Sequence, residues 1–406
     1  MLSPYHARHL ETRILLGPDS PDKVRLVLGA RQVGKSTLLQ RAAAEAGPIL
    51  TLNLQDRRLR RRYEADEGLL LRELEAEREA RTVFIDEIQK VPGLLDDVQL
   101  LHDRDPSRFR FVLTGSSARR LRRGAANLLP GRVQVALLSP VLEAETRLAE
   151  ILPLPVGPGS RFPRRSLEDC LLFGSLPGLF HEPRASWAET LGAYVDLYIE
   201  QEIRQENVVG DMGAFVRFLR LAALESGQAA NFTRLAQEVG VAPNTLRNFF
   251  QVLEDTHVGL RIPAFTRSRR RILQAPRFLL FDLGVRHVLA GLPLNDTLLR
   301  LDPGHIFEQW VLAELFYRCQ AHGRGFSLST WRTPAGAEVD AIVETPEEVV
   351  PVEVKWTDSP RAADARHVES FLDLHADLAR RGYVVCRCRR RQALSERVVA
   401  LPWDEF

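Results

Sequence analysis

Lysine is nearly absent from this 406-residue chain: of 55 basic residues only Lys23, Lys35, Lys90 and Lys355 are lysines. Arginine fills the other basic positions, as expected of a GC-rich coding bias or of selection for ion-pair networks. A lysine retained in such a chain points to chemistry that a guanidinium cannot perform. Cysteine is scarce as well. Cys170, Cys319, Cys386 and Cys388 form no pair of CxxC motifs, and Cys386 with Cys388 alone cannot complete a four-ligand zinc site, so the thiols read as structural or incidental. No uninterrupted apolar run approaches the roughly 20 residues that a bilayer requires, and the charged start MLSPYHARHLETR lacks the apolar centre of a signal peptide. The expectation is a cytoplasmic protein with no membrane partner. A net charge of +2 makes no general case for nucleic-acid binding, which must rest on local patches.

At this length one hydrophobic core is exceeded, so two to four domains are expected, with 45% apolar residues to build them. Five short β-rich runs, KVRLVLG, PILTLNL, RTVFIDE, RFRFVLTG and RVQVALL, alternate with helical stretches, the pattern of a parallel sheet covered on both faces. A Pro/Gly-rich stretch from Leu152 to Arg165 then reads as a linker or loop. Helical periodicity follows from Ser166 to about Asp255, with a break around Gly210 to Gly213. Within it, FTRLAQEVGVAPNTLRNFFQVLEDTHVGLRI has a helix, a turn, a second helix opened by Pro243 and a strand, which is winged-helix order. From about Leu301 the helix HIFEQWVLAELFYRC precedes strands SLSTWRT, AEVDAIVE, EVVPVEVKW and GYVVCRC.

The segment Gly29 to Ser36, GARQVGKS, matches G-x-x-x-x-G-K-[ST] between an apolar strand and the helix STLLQRAAAEA, where a P-loop must sit. Gly29, Ala30, Arg31, Gln32, Val33 and Gly34 would wrap phosphates with backbone N–H groups, Lys35 adds a point charge, the Ser36 hydroxyl ligates Mg²⁺ and Thr37 continues the helix N-terminus. Some fifty residues on, TVFIDEIQ ends a strand in two carboxylates. Asp86 would hold Mg²⁺ through water, and Glu87 would orient and deprotonate the attacking water. Thr114, Ser116 and Ser117 end the next strand, either as ordinary strand-end hydroxyls or within reach of the γ-phosphate. Arg132, just before the fifth strand, stands where a neighbouring subunit's nucleotide would be met, as a transition-state finger or as a structural arginine.

With GARQVGKS, VFIDEIQ, VLTGSS, LPGRV, FGSLPG, YVDLYIEQEI, FDLG, FEQWVLAEL, WRTPAGAEVD and VEVK in place, the chain resembles over nearly its whole length the AAA+ class of P-loop ATPases, in the branch that carries a winged helix and a C-terminal PD-(D/E)xK nuclease-like domain. The fold class implied is α/β: a P-loop AAA+ parallel sheet with a helical lid, a winged-helix domain and a restriction-endonuclease-like tail. The corresponding boundaries are 1–155 for the ATPase, 156–212 for lid and linker, 213–290 for the winged helix and 300–406 for the tail. A homo-oligomeric ring is implied with it.

The tail has its own site. Alternation along VVPVEVKW sets Glu353 and Lys355 on one face, and a hairpin closed by Thr345 to Glu348 pairs Glu344 with Val349 and brings Asp340 opposite Glu353. Two carboxylates and a lysine on one sheet face are the constellation of the nucleases this tail resembles. Asp340 and Glu353 would take Mg²⁺ or Mn²⁺ as hard oxygen ligands, and Lys355 would position or deprotonate water. Glu308 matches the family's upstream acid, with Glu314 on the same helix as a possible substitute. Such domains either cut or are retained as binding modules with idle sites.

For DNA, the helix PNTLRNFFQVLED offers Asn244, Thr245, Arg247 and Asn248, whose side chains read base edges or phosphates. Arg267, Arg269, Arg270 and Arg271 form a dense basic cluster on the expected wing, fit for phosphate contact or simply solvated beside a protein-contacting winged helix. Two functional readings follow: an ATP-driven motor on duplex or branched DNA (translocation, unwinding or branch migration) with possible metal-dependent cleavage, and an ATP-controlled regulatory or defence switch with an inactive tail.

Overall fold

A computed structural model describes residues 6–9, 23–45, 49–79, 81–117, 131–147, 152–154, 162–199, 211–265 and 275–406. It divides into two compact units, Met1–Ser139 with Asp255–Val258, and Pro140–Glu254 with Gly259–Phe406.

In the first unit the five apolar runs become five parallel strands: β1 (Val24–Leu28), β2 (Ile49–Asn53), β3 (Arg81–Asp86), β4 (Phe109–Gly115) and β5 (Val133–Leu137), in the order β2-β3-β4-β1-β5. β1 is buried along its whole length because β4 and β5 flank it. Four of its five residues are apolar, as a position covered on both faces selects, with Arg25 the one charged side chain buried among them. Helices α1 (Lys35–Glu45), α2 (Arg57–Ala65), α3 (Leu69–Glu75) and α4 (Leu94–Arg104) connect the strands. The apolar stripes of α2, α3 and α4, including Tyr63, Leu70, Leu74, Leu95 and Val98, pack with Leu26, Val83, Ile85 and Phe111 in one core. Because all strands run the same way, their C-terminal ends share one edge, and Gly29, Asp86 and Gly115 all arrive there.

The second unit begins with helices α5 (Leu167–Phe173) and α6 (Trp187–Tyr194). Then come α7 (Met212–Leu224), α8 (Phe232–Val239) and α9 (Pro243–Asp255), followed by the antiparallel pair β6 (Gly259–Ile262) and β7 (Arg277–Leu280). The helices close around an aromatic cluster of Phe215, Phe218, Phe249 and Phe250, whose edge-to-face and tilted contacts lie at 4.8–5.4 Å between ring centroids. The helical break expected around Gly210 to Gly213 does not extend to Gly213, which lies inside α7 because the Asp211 carboxylate caps that helix through the Ala214 N–H at 2.9 Å.

Helices α10 (Leu283–Ala290), α11 (Asp296–Leu301) and α12 (Pro303–His322) lead into a six-stranded sheet. Its strands are β8 (Ser327–Arg332), β9 (Glu338–Glu344), β10 (Val349–Val354), β11 (Gly382–Cys386), β12 (Gln392–Ala393) and β13 (Val398–Pro402), in the order β12-β13-β11-β10-β9-β8. β8, β9 and β10 pair antiparallel, whereas β10, β11 and β13 pair parallel. Between β10 and β11, helix α13 (Arg366–Leu374) lays Val368, Phe371 and Leu372 against Val339, Ile342, Val384 and Val398. All four cysteines are buried, consistent with packing roles.

Candidate functional site

The P-loop turns where the backbone demands glycine. Gly29 leaves β1 at φ +154°, and a Cβ there would lie 2.4 Å from the Leu138 carbonyl oxygen. Gly34, at φ +95°, has open space where a Cβ would sit, with only the Arg8 guanidinium 3.8 Å away, which leaves a cradle beside the loop. Between them Val33 is buried, Arg31 is half-buried and Gln32 is the exposed tip in left-handed backbone, while Ala30 is buried behind the loop and Thr37 is exposed on α1. Lys35 is 5% exposed and its Nζ donates to the carbonyls of Gly29 at 2.9 Å and Ala30 at 2.7 Å. The ammonium is thus held over the loop by acceptors it can exchange for phosphate oxygens.

The neighbouring strand ends bring together the groups expected to serve hydrolysis. Ser36 Oγ donates to Asp86 Oδ2 at 2.7 Å, and Thr114 Oγ1 donates to the other Asp86 oxygen. Thr114 in turn accepts the Glu87 N–H at 3.0 Å. A hydroxyl and a carboxylate meeting here are hard oxygen donors that suit Mg²⁺, so the residues fit the metal that nucleotide chemistry requires. Glu87 stands one residue past β3 in left-handed backbone, φ 60°, which turns its side chain away from the course of the strand. Ser116 is buried beside it, with its Oγ 3.4 Å from Glu87 Oε2.

Arg132 immediately precedes β5, and Val133 pairs with Val24 at the start of β1 rather than at its phosphate-binding end. Five residues of strand, about 16 Å, separate it from its own P-loop. The side chain pairs with Asp103. Its own nucleotide is out of reach, and both expected readings stand: a finger on another subunit's nucleotide, or a structural arginine paired with Asp103.

In the tail, Val349 pairs with Glu344 and Val352 with Ala341, the register that sets Asp340 opposite Glu353. Asp340 Oδ2 accepts the Val354 N–H at 2.8 Å, and Lys355 Nζ donates to Glu353 Oε1 at 2.6 Å. Glu353 is 4% exposed, and its Oε2 has no hydrogen-bond partner among the described residues. Burial pushes the Asp340 carboxyl up to about 7, with the charge of Glu308 adding to it. Burial likewise lifts Glu353 to about 7, the Asp340 charge reinforcing it and Lys355 opposing it. This pair fits a divalent cation. The third expected ligand does not join them: Glu308 is ion-paired with Arg277 of β7, which also holds Glu338. Among the described residues no three acidic, His or Cys side chains are grouped to hold a metal. Three ligands therefore reduce to two, because a guanidinium supplies the positive charge at the third. Glu314 is no substitute, since its carboxylate accepts the N–H groups of Glu143 at 2.9 Å and Ala144 at 3.2 Å.

On α9, Asn244, Arg247 and Asn248 are exposed and Thr245 is half-buried. Arg247 donates to Asn244 Oδ1 at 2.7 Å and lies 5.9 Å from the Phe232 ring centroid. Arg267, Arg269, Arg270 and Arg271 fall outside the described residues. Sequence reasoning missed Arg8, Gln89 and Arg277. Arg8 is buried and donates to the Val33 carbonyl at 2.8 Å and the Ser139 carbonyl at 2.9 Å, tying the P-loop to the segment after β5. One arginine among so many carries no signal, whereas Gln89 adjoins the carboxylate pair and was open to notice.

A parallel sheet whose strand ends gather a P-loop lysine, a serine and two acids defines a P-loop nucleotide-binding domain. Residues 21–146 match the AAA domain family, which supports a P-loop AAA-type ATPase domain over that stretch. Residues 164–296 and 303–406 match two families described as domains of unknown function, DUF8612 and DUF4143. Two mycobacterial relatives, uncharacterized protein Mb2031c of Mycobacterium bovis and uncharacterized protein Rv2008c of Mycobacterium tuberculosis, are each 29% identical over 389 residues, covering 94% of this chain and 80% of theirs. Among solved structures, a chain from a study of katanin self-assembly is 19% identical with a TM-score of 0.23, over 34% of this chain and 48% of that one, so this chain spans about half its length. Protein VC1899 from Vibrio cholerae is 11% identical with a TM-score of 0.17, over 89% of this chain and 88% of that one. Both scores are too low to relate the folds.

Proposed function

We propose that the chain hydrolyses ATP and uses the cycle to move or remodel DNA. The meeting of Lys35, Ser36, Asp86 and Glu87 at one sheet edge carries the hydrolytic part. ATP as substrate would draw Lys35 from its carbonyls onto the β- and γ-phosphates. Mg²⁺ held by Ser36 and Asp86 would neutralise phosphate charge. Glu87 takes a proton from water as the water oxygen bonds to the γ-phosphorus and the bond to the bridging oxygen breaks, releasing ADP and phosphate.

The DNA part rests on α7 to α9 with β6 and β7, read as a winged helix whose α9 presents Asn244, Arg247 and Asn248 to solvent. Arg132 suits a homo-oligomeric ring in which each subunit completes its neighbour's site. The tail reads as a nuclease-like domain that holds DNA and cuts only where Glu308 is released from Arg277. That same ion pair favours the second reading, a regulatory switch with an idle tail. ATP turnover measured with single-stranded, duplex and branched DNA, with and without Mg²⁺, separates them. The motor reading expects stimulation by one DNA form; turnover indifferent to all three would leave the switch.

A further inference from the structure

Gln89 lies in the short 3₁₀ turn Ile88–Lys90 that follows Glu87, and it is 4% exposed. Its Nε2 donates to Glu87 Oε2 at 2.6 Å and to Ser116 Oγ at 2.9 Å. Its Oε1 is buried with no hydrogen-bond partner among the described residues. The amide cannot be reversed to relieve this, because the carbonyl oxygen would then face a carboxylate oxygen. A carboxamide in this position therefore gives one N–H to the base and one to Ser116, and leaves its acceptor orphaned. Buried groups left so are uncommon and gather where chemistry is done.

Among the described residues, both hydrogen bonds to the Glu87 carboxylate fall on Oε2, from Gln89 and Ser116. We infer that Gln89 is a positioning residue for hydrolysis, which fixes Oε2 so that Oε1 is presented to the attacking water and which ties that orientation to the end of β4 through Ser116. The inference rests on Glu87 as the base and names what orients it. Gln89 acts through Glu87 and not on the substrate.

The test measures Mg-ATP turnover, nucleotide affinity and Tm on the full chain. Gln89→Leu should lower kcat about 10–100-fold, the scale found when a group orienting a functional ligand is lost. KM and nucleotide Kd should stay within about twofold, and Tm should not fall, since leucine removes the orphaned carbonyl. In a Glu87→Gln background the same change should cause no further loss, because its effect passes through Glu87. Should Gln89→Leu not fold, Gln89→Met, close to glutamine in length but without the donor, should show the same loss of kcat. An unchanged kcat in the folded variant, a parallel loss of affinity, or an additive loss in the Glu87→Gln background would each overturn the inference. Full turnover in Glu87→Gln would overturn the base assignment together with this inference, whereas a dead Glu87→Gln beside a normal Gln89→Leu would overturn this inference alone.

Discussion

Lys35 and Glu87 sit 52 positions apart in the chain, and the proposed function gives them separable steps. Lys35 is buried over the loop carbonyls, so Lys35→Ala removes the charge held for the phosphates, and nucleotide binding should be lost. Glu87→Gln keeps size and hydrogen bonding but not basicity, so binding should persist while turnover falls at least about 100-fold, the scale of a general base. Binding lost in both variants would return Glu87 to a structural role. Glu314 shows what a buried acid does away from chemistry. Burial pushes its carboxyl up to about 7 against Arg318 and two N–H groups that favour the charge. The folded value lies above the ordinary 4.5, so this group's contribution to stability is complete below that pH and is lost as pH rises through about 7. Glu314→Gln gives up one of the two N–H bonds and should lower Tm near pH 5, by the equivalent of about 1–3 kcal/mol. It should also flatten the decline in Tm toward pH 8. Parallel Tm curves for variant and wild type would show that Glu314 does not titrate in this range.

The elements were legible where local pattern decides. All five strands of the ATPase sheet stand in the sequence as short apolar runs, and the β9–β10 register follows from a four-residue connection and alternation. Strand order was not legible, because β4 enters between β1 and β3 through contacts with no local signature. The same holds for Arg277, whose ion pair with Glu308 joins β7 to α12 and rewrites an acidic triad as a pair. Alternation places carboxylates on a face; it does not reveal a cation arriving from another element. At the P-loop, by contrast, local and non-local demands coincide. Gly29 is needed by the motif and also by the Leu138 carbonyl, which accompanies the backbone bond from Leu138 N–H to Leu28 O at 2.8 Å. Gly29→Ala must push β1 and the segment after β5 apart. It should lose about 1–3 kcal/mol, as overpacked sites do, and weaken nucleotide binding with it. A variant with wild-type Tm and affinity would mean that the loop relaxes freely.

At the scale of the whole molecule the two candidate sites belong to different compact units and share no ligand, which makes their activities independently removable. Asp340→Ala should leave ATP turnover unchanged and abolish any metal-dependent cleavage, since Glu353 alone cannot hold the cation. DNA binding should hold or tighten, because one fewer carboxylate faces the phosphate backbone. Arg277 gives the opposite handle. Its removal takes from Glu308 the cation it is paired with while Asp340 stays near it, so Arg277→Met should destabilise the tail by about 3 kcal/mol, as losing one partner of a largely buried pair does. Added Mn²⁺ should restore part of that Tm loss if three carboxylates can then bind it, by mass action on the folded state. Cleavage by Arg277→Met with Mg²⁺ or Mn²⁺, silent with Ca²⁺ and absent from Arg277→Met/Asp340→Ala, would show a nuclease restrained by its own arginine. If Mn²⁺ leaves the Tm of Arg277→Met where it was, and neither wild type nor variant cuts any DNA form with ATP present or absent, the guanidinium is the permanent occupant. The binding-module reading of the tail then stands, and the proposed ATP turnover, which shares no ligand with the tail, is expected to be unaffected.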